Sequence, residues 1–220
     1  MDKLLIFLCF LVTVSAILLP KEEPCDEEEQ PCKSNCPKVP NGNCEEGWKN
    51  FTRPSGEWCM KVFFENFIIP LAAEKKCQEI GATLSGIQDQ YENFYILYTV
   101  LDKIYPESGT VMIGMKRTEA CRNSGISETC NWATSFEWTD KSANGTEGFS
   151  WGNGQPDNSR RQTPGGQACA LIYATVPLYL DKGPMRSGTL DDVGCDYDFV
   201  KDGYNPRTPK AYVCGKKPKV

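Results

Sequence analysis

Residues 151–158 have the sequence Trp-Gly-Asn-Gly-Gln-Pro-Asp-Asn. They lie within residues 139–166, a stretch rich in Gly, Asn, Ser and Pro that we predict to be irregular. A loop of that length inside a compact domain is uncommon and is usually functional. Gln155 and Asp157 place an amide and a carboxylate on either side of Pro156, so this loop is the first candidate for a binding site.

Short strands surround this loop in the sequence. Runs rich in aromatic and β-branched residues predict strands at 58–64, 111–115, 136–138, 168–174 and 211–214. Their number and spacing, together with two intervening helices, predict one α+β domain over residues 44–216. About 200 residues at 40% hydrophobic content are sufficient for one sizeable core.

Two helices are predicted between the first and second strands. The first covers residues 71–80 and is followed by Gly81, a residue typical of a helix end. Its predicted core face consists of Ala73, Cys77 and Ile80. The second begins at Asp89, which we predict to be its N-cap. Helical spacing predicts that its core face consists of Phe94, Leu97, Tyr98, Leu101 and Ile104.

The amino terminus has the pattern of a secretory signal peptide. Lys3 precedes an apolar run over residues 4–14, and small residues follow at Ser15 and Ala16. We therefore predict a signal peptide over residues 1–16 and a secreted, extracellular protein without a membrane span. If the apolar run continues through residues 17–19, an uncleaved anchor is the alternative.

Residues 17–43 differ in composition from the predicted domain. They contain five prolines and the acidic run 26–29, with almost no apolar residues after Leu19. Such a segment cannot bury a core, so we predict an extended spacer. Residues 217–220 are predicted to be a solvated tail, since chain ends are usually exposed.

Composition excludes several classes of function. The chain has 220 residues, twelve cysteines and no histidine. A high cysteine density favours an oxidising compartment. The absence of histidine removes the Ser-His-Asp triad, the Cys-His dyad and the HExxH zinc site, so we predict that the protein is not an enzyme. The net charge is -5 without a basic stripe, which argues against nucleic acid as a partner.

Several landmarks in this order resemble the C-type lectin family over residues 44–216. They are Cys44-Glu45-Glu46-Gly47-Trp48, Cys77, Ile113-Gly114-Met115, Phe136-Glu137-Trp138-Thr139-Asp140, residues 151–158, Cys169, Cys195 and Cys214. The resemblance implies an α+β, C-type lectin-like fold. In that fold two helices and short antiparallel sheets support a long loop that binds calcium and ligand.

The resemblance also implies a disulfide framework. Family pairing would join Cys44–Cys59, Cys77–Cys214 and Cys169–Cys195. Cys121 and Cys130 are outside the common pattern, but they flank a loop with no competing cysteine. We therefore infer a local Cys121–Cys130 bridge. Each bridge is expected to contribute about 2–4 kcal/mol of stability.

Three cysteines have no partner in this framework. Twelve cysteines, less Cys9 in the predicted signal and the eight paired ones, leave Cys25, Cys32 and Cys36 in the spacer. Three thiols cannot all pair within one chain, and a leftover thiol in an exported protein usually forms an intermolecular bond. We therefore predict a disulfide-linked homodimer, with a free or capped thiol as the alternative.

A calcium site is implied by the motif Gln155-Pro156-Asp157, which resembles the galactose-type form of the family's calcium and sugar motif. Two later segments supply the other ligands: Gln167, where relatives usually have Glu, and the Leu190-Asp191-Asp192 triplet, where they have Trp-Asn-Asp. Calcium takes about six to eight oxygen ligands. The side chains expected to hold Ca²⁺ are Gln155, Asp157, Gln167, Asp191 and Asp192. The alternative is a loop that no longer holds an ion.

The same residues imply carbohydrate as the ligand. In relatives each pair of ligands offers an amide donor and a carboxylate acceptor to a sugar hydroxyl. The pairs here would be Gln155 with Asp157 and Gln167 with Asp191. The motif favours galactose, although Ser159 stands where galactose-binding relatives often have Trp.

The resemblance therefore predicts a secreted, calcium-dependent lectin, and defence against microbes is a common role in the family. The alternative is a calcium-independent C-type-lectin-like domain that binds a protein or lipid partner. Asn50 and Asn144 begin Asn-X-Thr sequons, which predict N-glycosylation at both positions.

Overall fold

The computed structural model describes residues 44–161, 165–176, 186–203 and 205–219. The predicted signal peptide over 1–16, the predicted spacer over 17–43 and Cys25, Cys32 and Cys36 lie outside these residues. Among the helices of the described ranges, none combines the length and the apolar character that crossing a bilayer requires.

The described ranges form eight strands, two α-helices and two short 3₁₀ turns. The strands are β1 (Lys49–Arg53), β2 (Gly56–Phe64), β3 (Thr83–Leu84), β4 (Gly109–Arg117), β5 (Phe136–Trp138), β6 (Cys169–Ala174), β7 (Leu190–Val193) and β8 (Pro209–Lys216). The helices are α1 (Pro70–Glu79) and α2 (Gln90–Ile104), and the 3₁₀ turns are Glu119–Cys121 and Phe199–Asp202. The predicted α+β class is confirmed.

The strands pair in the order β1-β2-β8-β4-β6-β7, with β3 added to β8 and β5 added to β4. The last strand, β8, lies antiparallel to β2 and parallel to β4, so the end of the domain is inserted beside its beginning. Eight of the nine residues of β4 are buried, and two hydrophobic clusters draw their side chains alternately from β4 and β6. This sheet is therefore the support from which the long loop extends.

Gly114 in β4 marks a close approach of three segments. A Cβ atom at this position would lie 2.1 Å from the carbonyl oxygen of Leu84. The Gly114 N–H donates to the Ser85 carbonyl at 2.8 Å, and its own carbonyl accepts from Thr139 N–H at 2.9 Å. A residue without a side chain thus allows the start of the long loop to join the sheet directly.

The first helix agrees with the sequence except at its end. Ala73 and Cys77 are fully buried, as predicted. The prediction that Ile80 shares their core face is wrong, since Ile80 is 44% exposed. The helix ends at Glu79, and Ile80 has non-helical backbone angles that turn its side chain away. Gly81 follows with φ +68°, a left-handed conformation suited to glycine.

The second helix has the predicted N-cap but a different core face. Asp89 accepts hydrogen bonds from the backbone of Tyr91 and Glu92, which confirms the cap. Phe94 is 51% and Tyr98 is 67% exposed, so their predicted core packing is wrong. Leu97 and Leu101 are buried as predicted, and Ile104 packs against the core while partly buried. The buried positions that the prediction missed are Glu92, Asn93, Ile96 and Val100.

Buried polar partners explain this orientation of α2. The Glu92 carboxylate receives hydrogen bonds from Arg53 at 2.7 Å, and Asn93 donates to the Gly188 carbonyl at 3.1 Å. These contacts turn two polar residues inward, which places Phe94 and Tyr98 outside. Hydrophobic periodicity cannot register such partners, because they come from distant parts of the chain.

Strands β2, β4, β5, β6 and β8 lie where the sequence predicts strands. β1, β3 and β7 were not predicted. In β7 two adjacent aspartates, residues that disfavour strands, occupy the centre of Leu190–Val193. β7 forms because all four of its residues pair with β6.

Four disulfides close the domain: Cys44–Cys59, Cys77–Cys214, Cys121–Cys130 and Cys169–Cys195. They join the same pairs that the resemblance and the local inference imply. Cys77–Cys214 ties α1 to the last strand across 137 residues, whereas Cys169–Cys195 links the start of β6 to the residues after β7.

The beginning of the long loop is held by the buried Arg53. Its guanidinium donates to both carboxylate oxygens of Glu92 at 2.7 Å and to Asp140 at 2.9 Å. A further bond reaches the Gly86 carbonyl at 3.0 Å. One side chain therefore joins β1, the start of α2 and the start of the loop.

We expect Arg53→Met to destabilise the domain by about 3–5 kcal/mol, because two buried carboxylates lose their counter-charge. Urea denaturation followed by tryptophan fluorescence would measure the change in the free energy of unfolding. Arg122→Met is the control, since Arg122 pairs with Glu119 on the surface and its loss should cost less than about 1 kcal/mol. Similar losses in the two variants would contradict the prediction.

Candidate functional site

Asp192 on β7 is the centre of the candidate site. Its Oδ1 atom accepts from the Asp157 backbone N–H at 3.1 Å, and its Oδ2 atom accepts from the Asn158 backbone N–H at 2.9 Å. The Arg117 side chain forms an additional ion pair with Oδ2. Asp192 has no exposed surface. A single buried carboxylate thus connects the long loop to the sheet.

Gln167 lies beside Asp192 and is also fully engaged. Its Nε2 group donates to the Asp192 carbonyl at 2.7 Å, while its Oε1 atom accepts from Ser159 N–H at 2.5 Å. The side chain is buried. Gln167 therefore holds the loop residues after Asp157 in place.

Gln155 and Asp157 form the outer part of the site. The peptide bond between Gln155 and Pro156 is cis. Gln155 Oε1 accepts from Asp157 N–H and Asp157 Oδ1 accepts from Ser159 N–H, both at 2.9 Å. Asp157 is exposed and Gln155 is half-buried. Within the described part of the chain, Gln155 Nε2 and Asp157 Oδ2 have no hydrogen-bond partner.

The structure does not bring Asp191 to this cluster. Its Oδ2 atom accepts from the Tyr173 hydroxyl at 2.7 Å and pairs with Arg207 at 3.2 Å. Successive side chains of a strand point to opposite faces of a sheet. Because Asp192 is turned toward the loop, Asp191 is turned toward the opposite face, where the hydrophobic cluster that contains Tyr173 lies. Four of the five predicted residues are thus adjacent, and the fifth is not.

Arg117 is a site residue that the sequence analysis missed. It ends β4, is buried, and lies over the Phe136 ring at 4.6 Å from guanidinium carbon to ring centroid. Its Nε group donates to the Gln167 carbonyl at 2.7 Å. Strand alternation offered a signal, because Ile113, Met115 and Arg117 share one side of the strand and Lys116 is exposed.

Burial determines the electrostatics of this ion pair. It raises the pKa of the Asp192 carboxyl to about 6, while the charge of Arg117 and the Asn158 N–H act in the opposite direction. Burial also lowers the pKa of Arg117, against the attraction of Asp192. Burial likewise raises the pKa of Asp191. The charge of Arg117 therefore opposes the effect of burial and favours the ionised form of Asp192.

The residues as arranged do not fit a calcium ion. In the described ranges, no group of three or more Asp, Glu, Cys or His side chains is placed to hold a metal. Both oxygens of Asp192 and the side-chain oxygens of Gln155 and Gln167 already accept hydrogen bonds. Arg117 already places a positive charge against Asp192, one of the expected ligands. Calcium would have to compete with the Arg117 guanidinium for Asp192.

A family comparison agrees with the fold. A model described as C-type lectin domain-containing protein 141/158 matches residues 49–217. The chain belongs to this family. No curated protein matches the chain in sequence. Lectin domains of this kind bind ligands rather than catalyse reactions, and the C-type lectin domain here spans most of the described residues.

Two solved structures show the same fold. The C-type lectin CEL-I from Cucumaria echinata aligns with a TM-score of 0.52 at 17% identity, covering 80% of this chain and 99% of that chain. The cow C-type carbohydrate-recognition domain of CD23, in the presence of GlcNAc2Man3 oligosaccharide, aligns with a TM-score of 0.50 at 15% identity, covering 81% and 98%. These likenesses confirm the predicted C-type lectin-like fold.

Asn158 connects this C-type lectin site to the Cys121–Cys130 loop. Its Nδ2 group donates to the carbonyls of Arg122 at 3.1 Å and Ser124 at 2.9 Å. Its Oδ1 atom accepts from Gln167 N–H at 2.7 Å. The residue is buried and has φ +52°, a conformation that asparagine tolerates better than most residues. The extra disulfide loop is thus docked against the long loop.

The two sequons have different surroundings. Asn144 is exposed, and its Oδ1 atom accepts from Gln88. Asn50 is half-buried, and its Nδ2 group donates to Glu57 at 2.5 Å. A glycan at Nδ2 leaves one N–H, so a glycosylated Asn50 can keep this bond only through that hydrogen. N-glycosylation at Asn50 and Asn144 stays a prediction.

We expect Asn158→Asp to destabilise the domain by about 2 kcal/mol. The new side chain keeps the acceptor for Gln167 and tolerates the same backbone angles, but leaves two carbonyl oxygens without their donor. Urea denaturation would measure the loss, and amide exchange should quicken in residues 121–130. The matched control is Asn153→Asp, the same chemical change at an exposed position of the same loop. Equal stability of the two variants would argue against this docking role.

Proposed function

We propose that this C-type lectin domain binds carbohydrate through Gln155 and Asp157. The observation that carries the proposal is the pairing of two groups without partners in the described part of the chain, the Gln155 Nε2 donor and the Asp157 Oδ2 acceptor. A sugar hydroxyl both accepts and donates a hydrogen bond, so it can satisfy this pair. The family membership of the chain supports the same ligand class.

Both side chains are held in position before a ligand arrives. The opposite atom of each group, Gln155 Oε1 and Asp157 Oδ1, is tied to a backbone N–H of the loop at 2.9 Å. Side chains that are already ordered lose less conformational entropy when they bind. This arrangement favours recognition of a sugar hydroxyl despite the small size of the site.

The second sugar-binding pair expected from the sequence, Gln167 with Asp191, is not part of the function that we propose. Both polar atoms of Gln167 are engaged inside the protein, and Asp191 lies with Tyr173 and Arg207 on the other side of β7. We accordingly propose binding by one pair, with galactose-type sugars as the first probes because amide precedes carboxylate. Calcium dependence is not part of the proposal, since Asp192 and Asp191 are already paired with Arg117 and Arg207.

We expect Asp157→Asn to lower carbohydrate affinity by about 10- to 100-fold, because it replaces the charged acceptor Oδ2 with a donor. The retained Oδ1 atom should keep the Ser159 contact, so the melting temperature should stay within about 1–2 °C of wild type. Binding would be measured on a glycan array and then by titration calorimetry.

Asp102→Asn is the matched control, because it makes the same change at an exposed carboxylate on α2. The control should bind like wild type. If wild type retains no glycan, or if Asp157→Asn binds as well as wild type, carbohydrate binding by this pair is refuted. Retention of a protein or lipid instead would favour the other ligand class.

We also propose that the protein is exported and forms a disulfide-linked dimer through Cys25, Cys32 or Cys36. The four disulfides of the described domain support an oxidising compartment. The three remaining cysteines lie outside the described residues. Two linked sites would raise the retention of a multivalent glycan surface above that of one site.

Gel mobility tests this dimer. We expect the secreted protein to migrate at about twice the monomer mass without reductant and as a monomer with it. Replacement of all three spacer cysteines by serine should give a monomer under both conditions, whereas the four domain disulfides should remain. A wild-type monomer on the non-reducing gel would contradict the proposal.

A further inference from the structure

We infer that the Arg117 guanidinium takes the structural place that the family resemblance assigns to calcium, so that the loop carrying Gln155 and Asp157 is positioned without a metal. The statement about loop position stands on the geometry alone. Its consequence, that ligand binding is independent of calcium, rests on the proposed carbohydrate function.

The first argument is the position of Arg117 between separate segments. From the end of β4 it donates to the Gln167 carbonyl at 2.7 Å and pairs with Asp192 on β7. Asp192 in turn accepts the backbone N–H groups of Asp157 and Asn158 at 3.1 and 2.9 Å. One cation thus joins two strands to the loop. A metal ion held by the expected ligands would likewise join the loop to β7, whereas Arg117 also ties both to β4.

The second argument is the charge that remains for a metal. Three carboxylates were expected to face the ion. Asp192 is paired with Arg117, and Asp191 is paired with Arg207. Asp157 is then the one member of the expected set whose carboxylate lacks an ion pair in the described part of the chain. The affinity of calcium sites depends on the number of charged ligands, so the set falls short of what the ion requires.

The third argument is that the contacts suit an arginine in particular. A guanidinium presents several donors in one plane, and here the plane meets a carbonyl and a carboxylate while it lies over the Phe136 ring. Asp192 is fully buried, and a buried carboxylate is tolerated when it is paired and hydrogen-bonded. Arg117 and Asp192 therefore belong together as a built-in unit of the fold.

The first experiment compares wild-type protein in calcium and in EGTA. Calcium would be present at about 10 mM, above the dissociation constants usual for extracellular modules. We expect the same melting temperature and the same amide exchange at Asp157, Asn158 and Ser159 in both solutions. A calcium-dependent rise of about 5 °C or more, together with slower exchange at these three amides, would overturn the inference.

The second experiment changes Arg117 itself. Arg117→Met removes the charge, whereas Arg117→Lys keeps the charge without the planar set of donors. We expect amide exchange at Asp157 and Asn158 to quicken at least about 10-fold in Arg117→Met, equally in calcium and EGTA, and less in Arg117→Lys. The control Arg122→Met should leave these amides unchanged, because the Arg122 side chain pairs with Glu119 on the surface.

Unchanged exchange at Asp157 and Asn158 in Arg117→Met would also overturn the inference. If that variant does not fold, Arg117→Lys and the wild-type calcium comparison still decide it.

Glycan binding by wild type separates this inference from the proposed function. If binding is equally strong in EGTA and in calcium, the proposed function stands, and so does the calcium independence that follows from the inference. If glycan binds in calcium and is lost in EGTA, carbohydrate binding stands and the role of Arg117 is refuted. If no glycan binds in either solution, the proposed function fails, while the melting and exchange measurements still decide whether Arg117 sets the loop.

Discussion

A carboxylate in a fully buried position is the constraint on which the candidate site depends. Asp192 must be compensated because an isolated charge in a protein interior is strongly unfavourable. The compensation comes from the Arg117 side chain and from two backbone N–H groups of the long loop. If the loop left the sheet, the Asp192 carboxylate would lose two of its hydrogen-bond donors. The conformation of the loop is therefore coupled to the packing of β4 and β7.

A second buried arginine, paired with carboxylates, holds the other end of the loop. Arg53 pairs with Glu92 and Asp140 in the interior, and Asp140 lies just after β5 where the loop begins. Removing one partner of such a buried pair leaves an uncompensated charge. The contacts that Arg53 makes with Glu92 and with Asp140 therefore depend strongly on one another. A buried arginine thus anchors each end of a segment that has little regular secondary structure. The disulfides close the surrounding chain by separate covalent links.

This division between anchors and surface has a functional consequence. The inner residues use their polar groups for hydrogen bonds within the protein; they are Asp192, Gln167 and Asn158. Gln155 and Asp157 remain at the surface, each with one atom tied to the loop and one turned to solvent or ligand. Changes at Asp157 should consequently alter binding, whereas changes at Arg117 or Asn158 should alter the shape of the face that binds. The Cys121–Cys130 loop, docked through Asn158, belongs to that face.

Sequence alone determined what depends on local chemistry and chain order. It located five strands, both helices, the Asp89 cap and the irregular loop, since these follow from periodicity and capping. The Cys121–Cys130 pair followed from its local spacing, whereas the other three disulfides were implied by the family resemblance. Only tertiary structure decided which face of α2 is buried and that residues 190–193 form β7. It also decided that the side chains of Asp191 and Asp192 point to opposite faces of that strand. It also revealed Arg117 as the partner of Asp192, 75 residues away in the chain. Such contacts join distant segments, and the free energy of burying a charge depends on neighbours that no local pattern records.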